Sequence, residues 1–469
     1  MYRRRTFLTA ASAFVGWPAL GAPADSAAVL AERLGRPMRL LVPDGSQANV
    51  MPVIARFEAA HGCKIETIVT DLDDINATLL LEAILPEMQI DIALPATFGI
   101  PDLSEAGAIL PLDHLAGRFG LSSPGGIGDR YDNRLWGFQT DGDVYLMFYH
   151  REMLEDPQEQ ARYADDTGAA LAVPRTWDDL DRQMAFFHRP DQGRYGGCLY
   201  RTATYAAWEW WARFHARGGL PFDSDCRASI TNDAGVGALE AMIAASAHLT
   251  GAELGLFDNW TRYNRGDVYA NIGWGGTQKA LNRPGAGMRG RVVHGPLPGG
   301  GDQPLAYFNW GWSYVVARHC PVPELAYLFC DHAVSPGPSA DAVAALEGYF
   351  DPFRAEHYDD PRIIAAYGDT FLAEHRKAMS DPIPDLYIAR RNEYFESLTA
   401  WLLRALAGHT DPESALGYVS SRWDIITQQA GADAQCARWL HLQDRYPERF
   451  RQAGAQQPAK IAPGRSWRQ

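Results

Sequence analysis

Between residues 38 and 94 the chain keeps one rhythm, and that rhythm narrows the choice of fold. Met38-Arg-Leu-Leu-Val42 reads as a strand closed by the turn residues Pro43-Asp-Gly-Ser46. A helix follows, with Asn49 as its expected cap and Val53, Ile54, Phe57 and Ala60 at helical spacing. His61-Gly62 stops it. Residues 64–69 form the next expected strand, 74–84 a second helix, and 90–94 a third strand ending at Pro95-Ala-Thr-Phe-Gly99. Strand alternating with helix implies a parallel sheet with helices on its faces. Ligands bind outside the carboxyl ends of such strands. The loops there offer Asp44, Gln47, Asp71 and Thr97 as candidate contacts.

A second stretch, residues 133–149, sets a polar centre between two runs of aromatic and branched residues. The centre is Thr140-Asp141-Gly142-Asp143, and residues 144–149 suit a buried strand. Carboxylates between two strands fit a place where the chain passes from one compact unit to another. Asp141 and Asp143 are therefore candidate hinge or ligand residues.

At 469 residues two or three domains are expected, and 46% hydrophobic against 21% charged residues is a globular composition. A net charge of −14 argues against nucleic acid and anionic membrane surfaces, since both are bound through Lys and Arg. No apolar run is long enough to span a bilayer, so no membrane anchor is expected. The first 24 residues read as a cleaved signal peptide. Arg4-Arg5-Thr6-Phe7-Leu8 fits the twin-arginine export pattern, and Ala22-Pro-Ala24 offers the cleavage site before Asp25. A periplasmic location follows. Six cysteines there permit disulfides; Cys198 with Cys226 and Cys320 with Cys330 are the sequence-local pairs, with buried free thiols as the alternative.

Further along, Thr176-Trp-Asp-Asp179 opens a helix with a capping-box arrangement, in which Trp177 is a packing residue. In the aromatic helix 205–214, Trp211 and Phe214 suit a core face, whereas Tyr205, Trp208 and Glu209 are placed to face a cleft. Residues 267–274 read as a strand, and Trp274 before Gly275-Gly276 lets backbone and ligand approach closely. Residues 308–317 are again strand-like. Trp310 and Trp312 alternate there onto one face, which can be cleft or core. Gly348-Tyr-Phe-Asp-Pro-Phe-Arg354 is a third junction; Arg354 can pair with Asp351 or bind an anionic group. The polar stretch 454–469 reads as a loose tail.

Taken in order, these segments resemble the type 1 extracellular solute-binding proteins of bacterial ABC importers, in the sugar- and polyol-binding group. Phe57-Glu-Ala-Ala-His-Gly-Cys-Lys-Ile, Leu103-Ser-Glu-Ala-Gly-Ala-Ile-Leu-Pro-Leu-Asp113, Leu135-Trp-Gly-Phe-Gln-Thr-Asp-Gly-Asp-Val, Asn264-Arg-Gly-Asp-Val-Tyr-Ala and Gly295-Pro-Leu-Pro-Gly299 carry the likeness. No single motif is diagnostic; the collinear set is. The resemblance implies an α/β, two-lobed periplasmic-binding-protein fold of type II, each lobe a mixed sheet flanked by helices, with the ligand cleft at the hinge. It implies residues 25–141 with 308–347 as one lobe and 142–307 with 348–440 as the other. Hinge closure on a sugar or polyol and delivery to the transmembrane subunits of a permease follow, and a monomer is the default for such a shuttle.

Carbohydrate chemistry suits the residues in hand. Carboxylates bind hydroxyl groups strongly, and aromatic rings cover the C–H face of a sugar. The candidate ligand-binding set is Asp44, Gln47, Asp71, Thr97, Asp141, Asp143, Trp208, Glu209, Trp274, Gly275, Trp310, Trp312, Tyr349, Asp351 and Arg354. No metal spacing or nucleotide motif is present, so neither metal nor cofactor is expected. Two alternatives share these residues: a secreted glycosidase working through Asp141 or Asp143 with Glu209, and a binding protein serving a sensory system instead of transport.

Overall fold

The computed structural model describes residues 25–454 except 127, 252–253 and 302–303. The expected signal peptide and nearly all of the expected tail lie outside the described residues.

The first rhythm folds as a parallel sheet. Strand Met38–Pro43 pairs in parallel with Ile65–Thr70 on one side and with Ile92–Ala93 on the other. Ser313–Val316 then adds antiparallel to Ile92–Ala93, and Gly137–Gln139 antiparallel to that, so the five-stranded sheet is mixed. Leu40, Leu41, Val42 and Ile92 are fully buried, as residues covered by helices on both faces should be. Helix Gln47–His61 covers one face and ends at Gly62, whose φ of 68° is the left-handed turn that favours glycine. Its start differs from the expectation. Ser46 takes the cap position, and Asn49 lies inside the helix. The Asn49 amide donates to the Ala342 carbonyl (2.8 Å) and accepts from the Tyr349 N–H (3.0 Å). A polar residue that reads as a cap instead ties two distant segments to this helix.

A second sheet has the order Val292–Pro296, Leu146–His150, Val268–Gly273, Tyr195–Cys198. Its first two pairings are antiparallel and its last is parallel. The helix Trp177–Phe187 beside it carries the expected capping box between Thr176 and Asp179. Trp177 is buried, with the Arg213 guanidinium 4.2 Å above its ring. The aromatic helix Ala206–Ala216 is buried all round, not on one face. It lies against helices Asp233–Ala245 and Arg391–Leu406, and Trp210 stacks on Phe214 at 4.7 Å. A helix buried on every side is a core helix, and here its charged residues Glu209 and Arg213 are paired with each other.

Three segments run between the two sheets: Gln139 to Leu146, Pro296 to Ser313, and the loop at residues 348–351. The expected strand 308–317 is broken. Tyr307–Phe308 pairs with Ile383–Pro384, and only at Ser313 does the chain join the first sheet. Gly311 between them has a φ of 62°, a turn that lets both neighbouring tryptophans face the junction.

The cysteine expectation is corrected. Cys226 is bonded to Cys436, 210 residues away, while Cys63, Cys198, Cys320 and Cys330 are buried thiols. The bridge fastens helix Ala432–Gln443 to the loop before helix Asp233–Ala245. Sequence proximity was a poor guide because the partner arrives from the far end of the fold.

Candidate functional site

The three connecting segments bond to one another where they meet. The Thr140 N–H donates to the Trp312 carbonyl (2.8 Å) and the Gly311 N–H to Asp143 Oδ2 (3.2 Å). The Asp351 N–H donates to Asp141 Oδ1 (2.6 Å). A Cβ at Gly142 would stand 2.1 Å from the Pro352 carbonyl oxygen, so only glycine allows the backbones this close. A Cβ at Gly275 would fall 2.3 Å from the Asp351 carboxylate, which instead accepts the Gly275 N–H at 2.6 Å.

This crossing gathers carboxylates. Oxygens of Asp141, Asp143 and Asp351 lie within 4.8 Å of one another, and all three residues are buried. Burial, reinforced by the neighbouring carboxylates, raises Asp141 and Asp143 well above the usual carboxylate range. Burial also raises Asp351, to about 6, with the nearby Lys279 and the Tyr367 hydroxyl (2.9 Å) pulling the other way. Lys279 is pushed down to about 8 by burial. Its ammonium donates to the carbonyls of Val343 (3.1 Å), Ala345 (3.1 Å) and Phe350 (2.9 Å). A lone lysine in the short helix Gly275–Asn282 gave no sequence signal that set it apart from a solvated one.

In front of the carboxylates is a narrow pocket. Asp143 is its charged wall; Trp274, Trp310, Trp312, Tyr349, Tyr205 and Trp260 supply its rings, with Leu72, Leu256 and Gly276 completing it. Trp274 is held by its Nε1–H on Asn309 Oδ1 (2.9 Å) and by stacking on Tyr145 at 4.5 Å. The pocket shares Leu72 and Trp310 with a wider groove that also includes Trp208, Asp73, Asp74, Arg391 and Glu396. At its edge the Thr204 hydroxyl donates to Asp73 Oδ2 (3.0 Å), joining the two sheet units.

The structure sorts the sequence candidates into groups. Asp143, Trp274, Trp310, Trp312 and Tyr349 line the pocket. Asp141, Asp351 and Gly275 form the layer behind it. Trp208 borders the groove. Asp44 and Asp71 sit in exposed loops and Gln47 opens helix Gln47–His61: Gln47 donates to Asp44 (3.1 Å), and Asp71 accepts from the Asp73 N–H (2.9 Å). Thr97 is buried against Ser313, with the two hydroxyls 2.9 Å apart.

Two candidates are corrected. Glu209 does not face the cleft. It is held between Arg201 (2.8 Å to each oxygen) and Arg213 (3.0 Å) inside the second unit. Burial works to raise its carboxyl, but the two guanidiniums hold it below the usual range. Arg354 pairs with Glu356 (3.6 Å), not with Asp351, and donates to the carbonyls of Ser122 (3.0 Å) and Val334 (2.8 Å). It closes a loop, which is why it is buried. Tyr205 had been placed toward a cleft from its helix position, whereas Trp260, Leu72 and Leu256 gave no signal apart from their apolar side chains.

The family model described as bacterial extracellular solute-binding protein matches residues 53–368. The chain is a bacterial extracellular solute-binding protein. Solved structures agree on the fold. Against maltose-bound T. maritima MalE3 this solute-binding protein gives a TM-score of 0.70 at 16% identity, covering 83% of this chain and 100% of that one. A ribitol complex of an ABC transporter solute-binding protein from Agrobacterium radiobacter K84 gives 0.69 at 16% identity, over 84% and 99%. One from Thermotoga lettingae bound to α-D-tagatose gives 0.70 at 17%, over 83% and 98%. No curated protein matches the sequence. The solute-binding protein thus has the two-lobed architecture of periplasmic binding proteins, and no helix among its described residues is long and apolar enough to cross a membrane.

Proposed function

We propose that this solute-binding protein captures a small sugar or polyol in the pocket between its lobes and delivers it to an ABC permease. The observation that carries the reading is the meeting of three crossing segments at a pocket walled by aromatic rings and one carboxylate. Rings cover the C–H face of a sugar, and Asp143 accepts from its hydroxyls. Residues 25–141 with 308–347 form one lobe in this reading, and 142–307 with 348–440 the other. Closure turns on the crossing segments, since few residues absorb a hinge motion. The neighbours that hold maltose, ribitol and tagatose support a polyhydroxylated solute. The basic N-terminus with Arg4-Arg5 supports twin-arginine export to the periplasm, and Ala22-Pro-Ala24 supports cleavage before Asp25; a monomer is the default for such a shuttle.

The test is a thermal-shift screen of the exported chain against sugars, polyols, sugar acids and polyol phosphates. A ligand at 100 times its Kd adds about 2.7 kcal/mol to stability. A hit that is recovered unchanged after long incubation is the expected result. Appearance of a hydrolysis product would make the carboxylates catalytic and overturn the reading.

A further inference from the structure

The pocket's chemistry is narrower than a generic sugar site. A neutral polyol needs a donor or acceptor for each hydroxyl it buries, because an unpaired buried polar group is costly. Here six aromatic side chains surround one charged group, Asp143. Rings around a carboxylate favour a cation, which is drawn both to the π-faces and to the negative charge.

The charge behind the pocket points the same way. Three carboxylates lie within 4.8 Å of one another, and the ammonium that accompanies them, Lys279, has its three donors on backbone carbonyls. Three carboxyls face one ammonium that is already engaged, so a cation entering the pocket meets acidic groups whose ionised forms it favours. Asp141 Oδ2 is buried and finds no hydrogen-bond partner among the described residues. The approach is acidic as well. The groove carries Asp73, Asp74 and Glu396, while its Arg391 is already paired with Asp385 and lies over the rings of Phe98 (4.1 Å) and Phe395 (3.7 Å). With a net charge of −14 on the chain, the field around the groove draws cations inward.

We infer that the solute is an amino sugar or amino polyol, with its protonated amine seated among Trp274, Trp310 and Tyr205 and its charge facing Asp143. This rests on the pocket being the solute site, as proposed above. Hydroxyl groups on the rest of the solute then meet the polar edges of the groove.

The experiment is calorimetric titration of the full exported chain with matched pairs: glucosamine and glucose, galactosamine and galactose, 1-amino-1-deoxysorbitol and sorbitol, with N-acetylglucosamine as a bulky neutral control. The expected result is that at least one amine binds roughly tenfold or more tighter than its neutral partner. In Asp143→Asn that preference collapses toward equality, and circular dichroism verifies that the variant is folded. If neutral members bind as well as or better than their amines, the inference is overturned and the sugar or polyol reading stands. If neither series binds, both fall. If the wild-type preference persists in folded Asp143→Asn, the amine is elsewhere and the inference is overturned.

Discussion

Two buried clusters of charge in this molecule obey opposite rules. Around Glu209 two guanidiniums meet two carboxylates. Arg201 and Arg213 hold Glu209, and Arg213 reaches on to Asp181 at 2.7 and 2.8 Å. Charges balance and Glu209 stays ionised. Around Asp143, three carboxylates share one lysine, and burial holds all three carboxyls above their usual range. The first cluster sits inside one lobe; the second sits where segments cross between lobes and opens onto the pocket. A balanced cluster fixes structure, while an unbalanced one keeps interaction energy in reserve for whatever enters.

The difference can be tested by breaking each cluster in turn. Glu209→Gln should have the largest effect on stability, because it leaves two buried guanidiniums short of charge. A loss of about 3–5 kcal/mol in denaturant unfolding is expected, with solute affinity little changed in the folded fraction. Asp351→Asn should act differently. A carboxyl raised on folding binds protons more tightly in the native state, so its stabilising contribution is full below its unfolded value of about 3.9. That contribution is lost as pH rises through the folded value of about 6. Wild-type stability should therefore fall by on the order of 2–3 kcal/mol across that window from this group, with Asp141, Asp143, Lys279 and Tyr367 as its charged and titratable neighbours. The loss of stability between pH 4 and pH 7 should be smaller in Asp351→Asn than in the wild type, with Asp141 and Asp143 supplying what remains.

Trp274→Ala tests the pocket wall. Loss of one ring should weaken solute binding by roughly 30-fold, about 2 kcal/mol, measurable by calorimetry. The smallest effect should come from Arg33→Ala, which removes an exposed pair with Glu324 at 3.1 Å. Half a kilocalorie per mole or less, about the scale of surface pairs, would set the baseline against which both buried clusters are judged.

Much of this was legible from the residues in order. The alternation over 38–94 gave the parallel strands of the first sheet; Asp141, Asp143, Trp310, Trp312, Tyr349 and Asp351 came from three junctions that the fold brings together, and Trp274 from the glycine pair after it. Most of what failed had one physical cause, partners far away in sequence, and Glu209 is the exception. Glu209 looked like a cleft residue because Arg201, eight positions earlier, gave no hint of folding back onto it. Arg213 was better placed to warn, being one helical turn along. Asn49 looked like a cap because Ala342 and Tyr349 were out of sight, and Cys226 because Cys436 was. Lys279 was missed because nothing local distinguishes a lysine that will be buried under three carbonyls.

The bond from Thr204 to Asp73 across the groove is exposed. Such a contact is worth only about 1 kcal/mol, which biases an equilibrium by several-fold and no more. Nothing that slight can keep a door shut. In the proposed transport role, the solute would have to supply the rest of the closing force, and a partner that recognised the closed shape would be timing how long the solute stays.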